Sequence, residues 1–180
     1  MDQILDWDKE LFLYLNRLSI GNWDHFWLFV TKIENWIPLY ILFFFLFWKK
    51  LPRKKALLAT LFTFILMGLT LGLTNLVKNS VARIRPSNEP DFNGLVKVLQ
   101  ENPDFSFFSG HSAVSFAVSV FVILILKSHT KWIWGILIWP FLFALSRIFV
   151  GVHYPSDLLV GAIIGILLAV ISRKLLRSII

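Results

Sequence analysis

Apolar residues along this chain gather into long runs separated by short polar islands. Positions 56–77 carry no charge, and 35–48 form a shorter uncharged run. Three more runs occupy 113–126, 132–145 and 158–172. A bilayer core takes about 20 predominantly apolar residues per helix, so the pattern predicts about five transmembrane helices. The run at 35–48 is too short alone, and its span is expected to recruit residues from about 28 onward. The third span is expected to begin near Gly110 and the fourth to reach about Phe149, kinked at Pro140. The fifth is expected to start at Pro155, because proline suits the first helical position. The long connection at 87–107 lies between the second and third spans.

The amino end is patterned differently. In 2–19, Ile4, Trp7, Leu11, Leu15 and Leu18 recur at helical spacing, while Asp2, Asp6, Lys9, Glu10 and Arg17 fall mostly elsewhere on the wheel. This predicts an amphipathic helix lying in the membrane interface, broken at Gly21-Asn22. A short segment, 23–33, is either interfacial or the slanted start of the first span. The expected architecture is therefore all-α: a polytopic membrane helical bundle forming a single domain, 1–180, with an amphipathic region at 1–33 and the bundle at 34–180. Gly68/Gly72 and Gly161/Gly165 are small-residue pairs four apart. They permit close helix approach, although small residues are also simply common in membrane helices.

Composition strengthens the membrane reading. The chain of 180 residues is 57% hydrophobic and 16% charged, against roughly 45–50% and 25% in soluble domains. The formal charge is +7, but the cations sit at the ends of apolar runs, which reads as topology and anionic-lipid contact and not as nucleic-acid binding. No cysteine is present, which excludes disulfides and thiolate metal sites. Met1-Asp2-Gln3 lacks a basic start, so no cleavable signal peptide is expected. Lys49, Lys50, Arg53, Lys54, Lys55, Lys127, Lys131, Arg173, Lys174 and Arg177 would share one side of the membrane, ten in all. Five, namely Lys78, Arg83, Arg85, Lys97 and Arg147, would lie between spans on the other. Positive loops stay inside, so the C-terminus is expected in the cytoplasm.

That topology brings three polar clusters to one outer face. His153 and Asp157 are four apart, so a helix would set them one turn apart on one side. A carboxylate holding one imidazole nitrogen leaves the other as base or nucleophile; alternatively, this is an ordinary interfacial His followed by a helix N-terminal Asp. Lys78 and Arg85 would point inward together if their helix continued for two turns. With Arg147 they make a phosphate clamp, or else they snorkel to the interface. Arg83, two residues from Arg85, is expected to face elsewhere. Ser109-Gly110-His111 opens the third span, where free backbone N–H groups favour an anion. His25 and His129 read as surface residues. The only carboxylate expected near His111 and His153 is the orienting Asp157, so no metal site is expected.

Jointly these clusters resemble the three-part signature of type 2 phosphatidic acid phosphatases, the PAP2 superfamily. It runs Lys78-(six residues)-Arg85-Pro86, Phe108-Ser109-Gly110-His111, and Ser146-Arg147-(five residues)-His153-(three residues)-Asp157, covering 78–157. Phe108 stands where the family usually has Pro, which implies altered rigidity of the loop. The shorter form is similar to small bacterial undecaprenyl-diphosphate phosphatases. The resemblance implies a metal-independent lipid phosphatase with no cofactor, working through a phosphohistidine. It implies His153 as nucleophile, Asp157 as its orienter and His111 as proton donor, with Lys78, Arg85, Ser109, Gly110 and Arg147 binding phosphate. Undecaprenyl diphosphate is the favoured substrate, with phosphatidic acid, phosphatidylglycerophosphate and lipid A phosphates as alternatives. The implied setting is the bacterial cytoplasmic membrane, with the site on its outer face and a lipid phosphate as partner. A non-catalytic lipid-binding or transport protein, or a haloperoxidase, are the other readings; the known haloperoxidases of this superfamily are soluble.

Overall fold

The computed structural model describes residues 2–18 and 23–179. It is an all-helical membrane bundle: α1 (Asp2–Arg17), α2 (Asp24–Thr31), α3 (Ile37–Lys50), α4 (Arg53–Val81), α5 (Gly110–Leu126), α6 (Ile138–Phe149) and α7 (Pro155–Ile179). No strand occurs among the described residues. Three helical segments are long and apolar enough to cross a membrane: the one containing α4, Lys131–Phe149, and α7. A fourth is counted if α2 and the segment Ile33–Lys50 form one bent span. Helix α5 is a shorter apolar helix of 17 residues. The expected break at Gly21-Asn22 lies outside the described residues.

Helix α5 is hydrophobic nearly all round, the pattern of a helix enclosed by others. It packs most extensively on α7, then on α4 and α6. The main core joins Phe43, Phe47, Phe121, Leu126 and Trp139 from α3, α5 and α6. Lipid tails are as apolar as leucine, so helix association here depends on close packing. The α5–α7 contact shows this. A Cβ added at Gly165 would lie 2.2 Å from the Ala113 carbonyl, and one at Gly161 would lie 2.7 Å from that of Ser109. Gly68 and Gly72 would meet nothing within 4 Å, so that pair makes no such contact. Gly165→Ala is therefore expected to cost about 1–3 kcal/mol through overpacking. That lowers the detergent-solubilised melting midpoint by roughly 2–10 °C. Gly68→Ala should leave it unchanged; equal midpoints for the two variants would refute the close-packing account.

Polar residues line the inner face of α4. Thr63, Thr70, Thr74 and Lys78 are buried, and Thr63, Thr70 and Thr74 each donate a hydrogen bond to the carbonyl four residues back. The stripe delivers Lys78 to the inside of the bundle.

Three expectations need correction. The first span is not one straight helix from residue 28. The backbone is extended at Lys32, and Asp24–Thr31 and Ile33–Lys50 meet at 71°. The carbonyls freed at the break are satisfied by side chains: Asn35 Nδ2 donates to Phe29 O at 2.7 Å and Trp36 Nε1 to Val30 O at 2.8 Å. Secondly, Pro140 does not kink a continuous helix. A 3₁₀ segment, Lys131–Leu137, leads into α6, and the proline falls in its first turn, where a missing N–H breaks no helical bond. Thirdly, the stripe that α1 buries is Asp8, Phe12 and Asn16, while Trp7, Leu11 and Leu18 stay exposed. The apolar stripe read from the sequence faces out, as a lipid-facing surface requires, and polar residues face the protein.

Candidate active site

The helix α4 ends at Val81, and Ala82 adopts left-handed geometry with φ 51°. The expected helical continuation to Arg85 therefore does not occur. Pro86 disfavours helical geometry in the residue before it, and Arg85 is extended. In extended backbone, residues two apart point the same way. Arg83 and Arg85 turn inward while Ile84 is exposed, so Arg83 does not face away as a helical wheel implied.

Gly151 forms the turn between α6 and α7 with φ 88°. A Cβ there would lie 2.7 Å from the Lys97 carbonyl, because the 87–107 loop packs on this turn. Its neighbours fix the registration: Leu99 N–H donates to Val150 O at 3.1 Å, and Asn16 Nδ2 donates to Lys97 O and Ile148 O. His153 follows in non-helical backbone, ahead of α7. Pro155 opens α7 as expected. Asp157, in its first turn, accepts from the Tyr154 N–H at 2.9 Å, which caps the helix in the manner of a residue reaching back. The same oxygen, Oδ2, lies 3.3 Å from His153 Nδ1. Helix start and histidine orientation thus share one carboxylate.

The tautomer follows from the partners. Arg85 Nη1 lies 3.1 Å from His153 Nε2, and guanidinium can only donate. Nε2 is therefore the acceptor and Nδ1 carries the proton toward Asp157. Burial, followed by the charges of Arg85, Arg147 and Lys78, pushes the His153 imidazole well below its ordinary value. It is neutral at neutral pH, with its lone pair on the side of the cations.

These groups line a cavity of about 490 Å³. Lys78, Arg85, Gly110, His111, Arg147 and His153 form its polar end, and Tyr40, Met67, Leu71, Val114, Trp139 and Phe143 form an apolar wall. The His111 ring lies 4.8 Å from that of Phe143, centroid to centroid. Arg147 is 1% exposed and donates to Gln100 Oε1 at 3.0 Å and to the Thr31 hydroxyl. Its Nε has no protein partner, an open donor of the kind a buried anion would fill. Ser109 is placed differently. Its hydroxyl caps α5 by accepting from Ser112 N at 3.4 Å, its N–H donates to the Asp157 carbonyl, and it does not line the cavity. Phe108 is fully buried beside it.

A second carboxylate stands at the site, contrary to the sequence expectation. Asp104 accepts from Lys78 Nζ at 2.6 Å and from Arg85 Nη2 at 2.6 Å and Nε at 3.0 Å. Its partial burial opposes ionisation, but the Lys78 hydrogen bond and the Arg85 charge prevail and hold its carboxyl below the ordinary value. Nothing in the sequence distinguishes Asp104 from Glu89, Asp91 and Glu101 in the same loop. No group of three or more His, Cys, Asp or Glu side chains that could hold a metal occurs among the described residues. Neutral imidazole, a second histidine and three cations around one cavity can perform nucleophilic phosphoryl transfer.

A family model described as the PAP2 superfamily matches residues 56–179. A lipid A 4'-phosphatase of Bacteroides thetaiotaomicron is 32% identical over 168 residues, covering 89% of this chain and 72% of that protein. An undecaprenyl-diphosphatase of Sulfolobus acidocaldarius is 29% identical over 169 residues, covering 91% and 76%. The crystal structure of a transmembrane PAP2-type phosphatidylglycerolphosphate phosphatase from Bacillus subtilis shares the fold with a TM-score of 0.78, at 22% identity, over 100% of this chain and 89% of that one.

Proposed function

The chain belongs to the PAP2 superfamily, as a membrane lipid phosphatase, and we propose that it removes a phosphate from a lipid A-type glycolipid with His153 as nucleophile. The observation that carries the phosphatase chemistry is the single cavity shared by His153, His111 and three cations, with an apolar wall beyond them. The similarity over 89% of the chain to a lipid A 4'-phosphatase supports the substrate. Undecaprenyl diphosphate, favoured by the sequence, is the second reading, supported by similarity to an undecaprenyl-diphosphatase over 91%.

In the proposed reaction His153 Nε2 attacks phosphorus. As the N–P bond forms, the bond from phosphorus to the lipid oxygen breaks, and its electrons go to that oxygen. His111 gives the oxygen its proton. Water then attacks the phosphohistidine, His111 takes the water's proton, the N–P electrons return to Nε2, and inorganic phosphate leaves. Lys78, Arg85, Arg147 and the Gly110 amide hold the equatorial oxygens, where most of the electrostatic stabilisation is needed. Ser109 acts indirectly, by capping α5. The whole chain works as one domain, with the site at the outer face of a bacterial cytoplasmic membrane and the C-terminus inside. Labelling single cysteines introduced at Ser87 and Ser178 from the outside tests that orientation, because the chain has no cysteine of its own.

Asp104 and a phosphoryl group compete for the same donors on Lys78 and Arg85. Asp104→Asn is therefore expected to lower the inhibition constant of vanadate, a phosphate mimic, about three- to tenfold, or roughly 0.7–1.4 kcal/mol. An unchanged constant would mean that the anion binds beside Asp104 and not in its place.

The substrate is tested by phosphate release from lipid A, undecaprenyl diphosphate, phosphatidic acid and phosphatidylglycerophosphate without added metal. The highest kcat/KM is expected with lipid A. A higher value with undecaprenyl diphosphate would favour the second reading, and no release from any would reject the enzyme reading.

A further inference from the structure

The far side of the His153–Asp157 pair is occupied by a polar cluster that the proposed reaction leaves unused. Arg83 Nη1 donates to Asp157 Oδ1 at 2.9 Å and to Ser156 Oγ at 2.8 Å. Its Nη2 donates to Asp8 Oδ2 at 2.7 Å. The guanidinium lies 3.9 Å from the centre of the Tyr154 ring, a stacked cation–π arrangement. Asp8 comes from α1 and also accepts from the Ser156 N–H at 2.9 Å and from the Ser156 hydroxyl. It thereby satisfies a backbone donor in the first turn of α7, which no intrahelical carbonyl can reach.

Arg83 is not placed to touch phosphate. It is absent from the lining of the 490 Å³ cavity and instead lines a separate cavity of about 530 Å³ with Leu5, Lys9, Glu89, Phe107 and Tyr154. Both oxygens of Asp157 are fixed from opposite sides. Oδ1 is held by Arg83, while Oδ2 meets the Tyr154 N–H and His153 Nδ1. The carboxylate is fully buried, and a buried carboxylate needs a paired cation to stay charged and oriented. Bidentate use of one guanidinium fixes angle as well as distance.

We infer that Arg83, itself held by Asp8 of the amino-terminal helix, is the positioning residue for Asp157 and through it for the His153 nucleophile. This rests on the reading of His153 as nucleophile. The amino-terminal helix then contributes to the rate of the reaction without contacting substrate.

The test uses purified full-length protein and the lipid phosphate turned over fastest in the substrate panel. Arg83→Gln is expected to lower kcat roughly 10- to 100-fold, the range seen when a supporting partner of a reacting group is removed. KM should stay within about threefold, because the phosphate clamp is intact. Arg83→Lys keeps the charge without the fork and should recover part of the loss. Asp8→Asn should lower kcat by a smaller factor, about three- to tenfold. In an Asp157→Asn background, Arg83→Gln should change kcat by less than about twofold, since residues acting through one another are not additive. A kcat within twofold of the parent for both Arg83→Gln and Asp8→Asn overturns the inference. So does the same loss in both backgrounds, or a loss confined to KM. If Arg83→Gln does not fold, Arg83→Lys and Asp8→Asn decide by the same criteria. His153→Ala separates the two levels: activity surviving in that variant rejects the nucleophile reading, whereas a dead His153→Ala beside unaffected Arg83 and Asp8 variants rejects only this one.

Discussion

His153→Ala is expected to lower lipid-phosphate turnover by about 10⁴-fold or more, the scale on which loss of a nucleophile acts. The physical reason lies in the tautomer. Asp157 takes the Nδ1 proton, Arg85 donates to Nε2, and the buried ring stays neutral. No other neutral base shares that placement, since His111 stands across the cavity against Phe143. Acid-quenched enzyme incubated with substrate labelled in the reacting phosphate should carry an acid-labile, base-stable label, and His153→Ala should carry none. Labelling that survives the substitution would assign the nucleophile elsewhere.

The second large effect is expected at Arg147. Replacing it with Met removes one donor to the charge developing on the phosphoryl oxygens, worth about 10²- to 10³-fold in kcat. The stability effect should have the opposite sign. Arg147 is a buried cation with one unpartnered nitrogen and only uncharged partners, Gln100 and Thr31. An apolar side chain of similar volume avoids the desolvation of that charge, and such replacements are often neutral or stabilising. Thermal unfolding in detergent should therefore show a midpoint equal to or above that of the parent while activity collapses. A clear fall in midpoint would make Arg147 a structural residue first. Arg147→Lys should retain affinity for phosphate better than Met, but without the planar fork.

How far these features could be read from the sequence depends on which backbone geometry each reading assumed. The apolar runs located α3 to α7 because crossing a bilayer imposes a length that few other constraints mimic. Pro155 marked the start of α7 for a local steric reason and was placed correctly. Arg83 was misread because a helix was carried through residues 82–85, where positions two apart diverge; Ala82 and Pro86 end that helix, and extended backbone reunites Arg83 with Arg85. The α1 stripe was assigned to the wrong side because apolar residues were taken as the buried ones, whereas in lipid the order inverts. Asp104 lay in a loop with several carboxylates, and only the tertiary path of 87–107 selects it. Pairs of residues held by helix caps, such as Tyr154 and Asp157, were legible in spacing but not in mechanism.

The amino-terminal third bears on how divisible this protein is. Asp8 reaches Arg83, Asn16 fastens the loop backbone at Lys97, Asp24 pairs with the Lys97 ammonium at 2.6 Å, and Thr31 meets Arg147. The stretch matched by the family model begins at residue 56 and contains every cluster residue, yet each of these four supports comes from upstream of it. A chimaera that kept 56–179 and borrowed another protein's leading helices would inherit the reactive groups without the struts that aim them. The transplantable unit is therefore longer than the signature, and a graft would have to bring Asp8, Asn16, Asp24 and Thr31 along with it.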